Sequence, residues 1–280
     1  MFRSRSFSIV VAPLALVGVS CSKEKPAPEP VAIPSVMVMA TDYAFQMPDT
    51  LTAGVTSFRL MNHGKEMHHL TLIRLAGGMT AADLAKMQPG GSIPPGVSFI
   101  GGPNYSIPGG AVEATVDLKP GNYAAICAIP SPDGVVHMAK GMVYPFVVVA
   151  AADSSKPMAS APDADVVIKL ADYSFTPSTP LTPGRHVIRV ENDGTQWHEM
   201  VFVKLEPGKT LEDLAKWVEK PEGPPPGGPV DGVAPVSPGE SNTVTVNLTP
   251  GDYGFLCFLP DMKDGKPHLM HGMVQQFSVK

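Results

Sequence analysis

The sequence predicts an all-β protein built from two tandem modules, and three observations predict it. In 280 residues, 31 prolines and 27 glycines punctuate short runs rich in valine, isoleucine and threonine, which is how many short strands joined by turns read. Residues 113–118 and 243–248 alternate apolar and polar side chains with a period of two, as half-buried strands do. The third observation is repetition. Asp42-Tyr43-Ala44-Phe45 returns 130 residues later as Asp172-Tyr173-Ser174-Phe175, and the same offset relates Asn62 to Asn192, His68 to His198, Asp83-Leu84-Ala85-Lys86 to Asp213-Leu214-Ala215-Lys216, and Cys127 to Cys257. This is a tandem duplication, and the chain is long enough for each copy to bury its own core.

Taken in order, the chain opens with Arg3 and Arg5, an apolar run over 7–19 and small residues before Cys21. That is the form of an export signal over residues 1–21, too short to span a membrane stably. A cysteine directly after such a run resembles the lipobox of bacterial lipoproteins, which implies lipidation of Cys21 and an anchor to the membrane. Gly18 departs from the usual leucine of that motif, and Ser22 fits sorting to the outer membrane; a plainly cleaved signal peptide is the alternative. Residues 22–35 are polar and proline-rich and read as an extended tether. The formal net charge of -5 offers no broad positive field for phosphates, so no nucleic-acid partner is expected.

The first module is expected over 36–149 and the second over 166–280, with an Ala/Ser/Asp/Pro linker over 150–165. Thr80 with Asp83, and Thr210 with Asp213, have the spacing of a capping box, so a short helix should start after each threonine. The Gly/Pro-rich stretches 88–110 and 221–239 read as long surface loops. An exported protein could form disulfides, yet Cys127 and Cys257 hold equivalent places in two modules, too far apart to pair. Each cysteine needs its own reason.

A histidine opens a strand upstream of each cysteine, and a histidine and a methionine follow it. One set is His68, Cys127, His137 and Met142; the other is His198, Cys257, His268 and Met273. Two imidazoles and a thiolate with a long axial thioether are the donor set of a blue-copper electron-transfer site, whereas zinc more often takes a fourth nitrogen, oxygen or thiolate. Singly, a buried Cys or Met fills a core more often than it touches a metal. The ordered recurrence favours ligation, although a duplication copies the first site without adding independent weight.

With these residues in place, the chain resembles the cupredoxin family over both modules. The resemblance implies two Greek-key β-sandwiches, each with a short inserted helix and a long loop, and each holding one type 1 copper, up to two per chain, through the eight residues named. Nine and ten residues separate Cys from His in the two copies, more than in plastocyanin-like or azurin-like carriers. His69 and Glu199 follow the first ligand histidine where many cupredoxins have asparagine. Oxidase clusters need paired His-x-His ligands, which are missing, and Ile126 and Leu256 stand where a nitrite reductase places a type 2 ligand, so no enzymatic role is expected. The leading expectation is an exported, periplasmic or cell-surface electron-transfer protein working with envelope redox proteins. A copper-buffering or copper-delivery protein that meets copper-handling partners is the alternative, and a metal-free interaction module or a copper enzyme subunit stands behind it.

Overall fold

The structure is a computed structural model that describes residues 1, 31–84, 96–153 and 158–280. The export signal after Met1, Cys21 and the tether to residue 30 lie outside the described residues, as do 85–95, which include the start of the first long stretch, and 154–157 of the linker. Among the described residues no helix is long and apolar enough to cross a membrane.

The first repeat forms β1 (Ser35–Thr41), β2 (Ala44–Gln46), β3 (Thr50–Thr52), β4 (Gly54–Asn62), β5 (Thr71–Leu75), β6 (Ser98–Gly101), β7 (Ala111–Leu118), β8 (Gly121–Ile126) and β9 (Val143–Val149). The second forms β10 (Val166–Ala171), β11 (Ser174–Pro177), β12 (Gly184–Asn192), β13 (His198–Leu205), β14 (Gly227–Val236), β15 (Ser241–Leu248), β16 (Gly251–Leu256) and β17 (Val274–Val279). The period-two segments are β7 and β15, whose inward residues Val112, Val116, Val244, Val246 and Leu248 are buried. Thr210 closes a full capping box on α2 (Leu211–Glu219), whereas Thr80 makes half of one ahead of α1 (Ala81–Leu84): its amide and hydroxyl donate to the Asp83 carboxylate, and the Asp83 amide goes to the Thr80 carbonyl.

Each half is a two-layer sandwich around its own apolar cluster, Phe58, Leu60, Leu72 and Tyr123 in the first, Ile188, Phe202, Tyr253 and Phe255 in the second. Each such side chain, fully buried, contributes about 1.5–3 kcal/mol. The halves also share their sheets. One runs β11-β10-β12-β15-β7-β4-β1-β2, the other β17-β16-β13-β14-β6-β5-β8-β9-β3. The joints are short: Thr243 with Thr115 and Val244 with Ala114 in the first sheet, Val236 with Ile100 in the second. Asn242 locks this seam, donating to the Ile100 carbonyl at 2.7 Å and accepting from the Gly102 amide at 2.7 Å.

The stretches expected to be surface loops are corrected here, because β6 and β14 lie within them and form the joint. Residues 231–236 of β14 are buried on both faces, so the strand shows no alternation, and Gly227, Gly228, Pro229, Gly232 and Pro235 disguise it as a turn-rich segment. Cys127 and Cys257 are both buried and unpaired with each other.

Asp231 of β14 is buried at this seam and accepts the Gly232 amide at 2.7 Å. Burial, opposed by that hydrogen bond, pushes its carboxyl up to about 8. An unfolded aspartate ionises near ~3.9, so the native state binds the extra proton between those values. Stability is therefore highest below the unfolded value and falls as pH rises toward 8, by up to about 1.4 kcal/mol per pH unit. Asp231→Asn should flatten that fall, which thermal melts at pH 5 and pH 8 will read; parallel slopes in variant and parent would refute it.

Candidate metal centres

Each centre is assembled at one end of its half by a turn, a strand end and a loop. In the first half the turn after β4 is tied by Asn62, whose side chain donates to the Glu66 and Ser106 carbonyls at 2.8 Å each and accepts from the Gly64 amide at 2.8 Å. Asp42 accepts the Lys65 and Glu66 amides at 2.9 and 3.2 Å. This presents His68 just before β5, in an isolated bridge to Ser106 rather than inside the strand. Asn192, Gly194 and Asp172 repeat the arrangement around His198, which does open β13.

The cysteines follow the last residues of β8 and β16, and the methionines precede the first residues of β9 and β17. Across each loop the cysteine amide donates to the methionine carbonyl, Cys127 to Met142 at 3.2 Å and Cys257 to Met273 at 3.3 Å. The histidines open short 3-10 turns, His137–Lys140 and His268–His271, each closed by a glycine with positive φ. The extra residue of the second loop is absorbed at its tip. Ser131 donates to the Val135 carbonyl in the first loop, whereas Asp261 donates to Lys266 in the second. Spacing therefore changes the loop's outer end and leaves the ligand end alone.

The geometry of the two sites is closely matched. His68 Nδ1 and His137 Nδ1 lie 3.1 Å apart, with Cys127 Sγ 3.4 Å from His137 Nδ1 and 4.0 Å from His68 Nδ1. In the second half His198 Nδ1 and His268 Nδ1 lie 3.1 Å apart, and Cys257 Sγ is 3.4 Å from His268 Nδ1. All six residues have 0% exposure. Met142 and Met273 are equally buried, in the same apolar clusters as their cysteines.

The outer ring nitrogens fix the tautomers. His68 Nε2 lies 3.2 Å from Asp42 Oδ1 and His137 Nε2 lies 2.8 Å from Glu66 Oε2. His198 Nε2 lies 3.0 Å from Asp172 Oδ1, and His268 Nε2 lies 3.4 Å from the Gln196 amide oxygen. These partners are acceptors, so each Nε2 carries the proton and each Nδ1 is left with a lone pair. Two lone pairs then face each other at 3.1 Å beside a cysteine in a dry pocket, an arrangement that a cation relieves. With imidazole and thiolate bond lengths of about 2.0–2.3 Å, one ion would hold such donors roughly 3.5–4 Å apart, and the observed spread is close to that. The two His-Cys-His groups accommodate type 1 copper, up to two ions per chain.

Burial lowers the pKa of His68 and His198, against the Asp42 and Asp172 hydrogen bonds, and takes His268 down to about 4 with help from His198. These imidazoles are neutral and ready to ligate at pH 7. Burial pushes the Cys127 thiol up to about 12, against the His69 and Ile129 amides, and moves Cys257 in the same direction. A metal must therefore displace a proton from each.

No family model and no curated protein sequence matches the chain. Among solved structures it is similar to auracyanin A, a "blue" copper protein from Chloroflexus aurantiacus, with 20% identity over 42% of this chain and 100% of that one, TM-score 0.32. It is also similar to the blue copper oxidase of Nitrosomonas europaea, 14% identical over 89% of this chain and 86% of that one, TM-score 0.26. A copper-containing nitrite reductase from Thermus scotoductus SA-01 is 13% identical over 88% of this chain and 61% of that one, TM-score 0.25. The fold is cupredoxin-like. The expectation of no enzymatic role is corrected to an open one, because the similar structures include an oxidase and a nitrite reductase as well as the auracyanin. Identities and scores this low say nothing of activity, and the chemistry rests on the chain's own residues.

Of the eight residues singled out in the sequence, the structure brings His68, Cys127 and His137 together, and separately His198, Cys257 and His268. Sequence reading missed the carboxylates behind the cupredoxin-like ligands, Asp42, Asp172 and Glu66, and the tyrosines beside them. Tyr43 and Tyr173 hold φ of 69° and 68°, a left-handed conformation unusual for a bulky residue, and their rings stand 5.2 Å from His137 and 5.6 Å from His268. The signal was present as the repeated Asp-Tyr-x-Phe, which serves in sequence only to align the copies.

Proposed function

We propose that this chain carries single electrons through two mononuclear copper sites in the cell envelope. Bound copper would supply a reversible one-electron couple, with His68, Cys127, His137 and Met142 holding one ion and His198, Cys257, His268 and Met273 the other. The observation that carries the reading is the pair of imidazole Nδ1 atoms 3.1 Å apart beside a cysteine, with an acidic or amide acceptor behind each ring. Such a site is organised before metal arrives and needs little movement on oxidation or reduction. Full burial of all six donors shuts out water and slows exchange, which favours a carrier over a store. The modules are residues 36–149 and 166–280, and an export signal with lipidation at Cys21 would place them on the envelope, opposite redox-protein partners.

Copper titration of the full chain tests this. The expected result is an intense thiolate-to-copper visible band that saturates at up to two equivalents, with reversible voltammetry and slow loss of Cu(I) to a chelator. A colourless copper-loaded protein would overturn the reading, and rapid release to the chelator would replace carrier with store.

A further inference from the structure

In both halves the residue after the first ligand histidine reaches back to the cysteine loop. His69 Nε2 accepts the Ala128 amide at 3.0 Å, and Glu199 Oε1 accepts the Phe258 amide at 3.0 Å. Ala128 and Phe258 directly follow the two cysteines. The His69 amide itself donates toward Cys127 Sγ at 3.5 Å. Both side chains are buried, and the first half supplies two residues that lie between them.

Tyr105 has its ring centre 5.9 Å from that of His69. The same ring packs, as Phe258 does, on the cluster of the second half that holds Val201 and Leu256, and also on the cluster of the first half that holds Cys127. Its neighbour Asn104 donates to Glu199 Oε2 at 3.4 Å and to the Val233 carbonyl at 3.0 Å. Burial raises the Tyr105 phenol well above its ordinary value, so the ring stays neutral between the two halves. The 130-residue offset places Ala234 and Pro235 at the matching positions of the second copy. The polar-aromatic pair is thus no by-product of the duplication.

Electron transfer through protein weakens steeply across gaps and is sustained by bonded, hydrogen-bonded and packed contacts. From Cys127 the contacts run through His69 to the Tyr105 ring, onto the packed cluster and Glu199, and through the Phe258 amide to Cys257. We propose that Tyr105, flanked by His69 and by Asn104 with Glu199, is an internal path along which one electron passes between the Cys127 and Cys257 sites. In the exchange one site loses an electron and the other gains it. No bond forms or breaks, no proton moves, and Tyr105 is a bridge rather than a stored radical. The proposal rests on the copper reading above and adds that the chain is a two-centre unit.

The test uses the full copper-loaded chain. Spectra of Cys127→Ala and Cys257→Ala give the separate signature of each site, and a substoichiometric pulse from a photoreductant then starts redistribution between them. The expected relaxation has a rate independent of protein concentration, slows at least tenfold in Tyr105→Leu, and stays within twofold of the parent in Tyr105→Phe, which keeps the ring. Both visible bands and the copper stoichiometry should be unchanged in these variants, which a merely structural role would not leave intact. Relaxation proportional to protein concentration, or a parental rate in Tyr105→Leu, overturns the proposal. A failure of the copper reading is distinguishable, because the bands would be missing before any pulse.

Discussion

Cys127→Ala and Cys257→Ala should each abolish the thiolate-to-copper band of one site and lower the copper stoichiometry by one, and the double variant should be colourless. Each cysteine is the only thiolate among its donors, and two imidazoles alone cannot produce that band. The apo fold should survive. A neutral thiol with 0% exposure acts in the metal-free protein as a small apolar filler, and removing one buried heavy atom costs on the order of 1 kcal/mol. The gain in melting temperature on adding copper should shrink with the lost site, because ligand stabilisation follows from binding to the native state. A proton accompanies each event. Burial holds the Cys127 thiol up to about 12 and Cys257 higher than usual as well, so copper must expel one proton per site and affinity should rise about tenfold per pH unit between roughly 6 and 9. An unbuffered titration should read one proton released per copper in the parent and none at the substituted site. A cysteine variant that keeps its band would refute the assignment.

Strand content and the candidate donors were legible in the sequence for the same reason, that both are written as local patterns. Val112, Val116 and Val246 alternate with polar neighbours, and Cys127, His137 and Met142 fall in one loop. The seam was illegible because its residues are buried on both sides. β14 has no polar face to alternate with, Asn104 and Asn242 owe their meaning to partners 95 to 142 residues away, and Tyr105 owes its own to clusters of both halves. Asp42 and Glu66 were missed for a related reason. Asp42 lies 26 residues from His68 and Glu66 lies 71 from His137, and a surface carboxylate is ordinary until the imidazole behind it is in view. The ten-residue loop after Cys257 keeps the inner spacing of the first, since the added residue sits at the tip between Asp261 and Lys266 and the cysteine sulfur lies 3.4 Å from the loop histidine Nδ1 in both halves.

Gly64→Ala and Gly194→Ala should weaken copper binding by about 10- to 100-fold, the usual consequence of disturbing the group that orients a ligating histidine. A methyl on Gly64 would stand 2.3 Å from Asp42 Oδ1 and 2.7 Å from His68 Nε2, and on Gly194 it would stand 2.7 Å from both Asp172 Oδ1 and His198 Nε2. The carboxylate and the ring cannot both stay, so the aspartate must leave its Lys65 and Glu66 amides, or those of Thr195 and Gln196. Freed of its acceptor, the imidazole can move its proton to Nδ1, which no longer ligates and which can donate across the 3.1 Å gap to the second histidine. Asp42→Asn separates sterics from charge, because it keeps the shape and an oxygen while losing the anion, and its effect should be the smaller. The aspartate thus holds two acceptors face to face at a cost to the metal-free protein and to the advantage of the loaded one. Competition against a Cu(I) chelator measures the affinities, and melts with and without copper should show the loaded form losing more stability than the apo form in every one of these variants. Equal losses would mean that Asp42 and Asp172 only brace the turns and do not set the proton on the ligand.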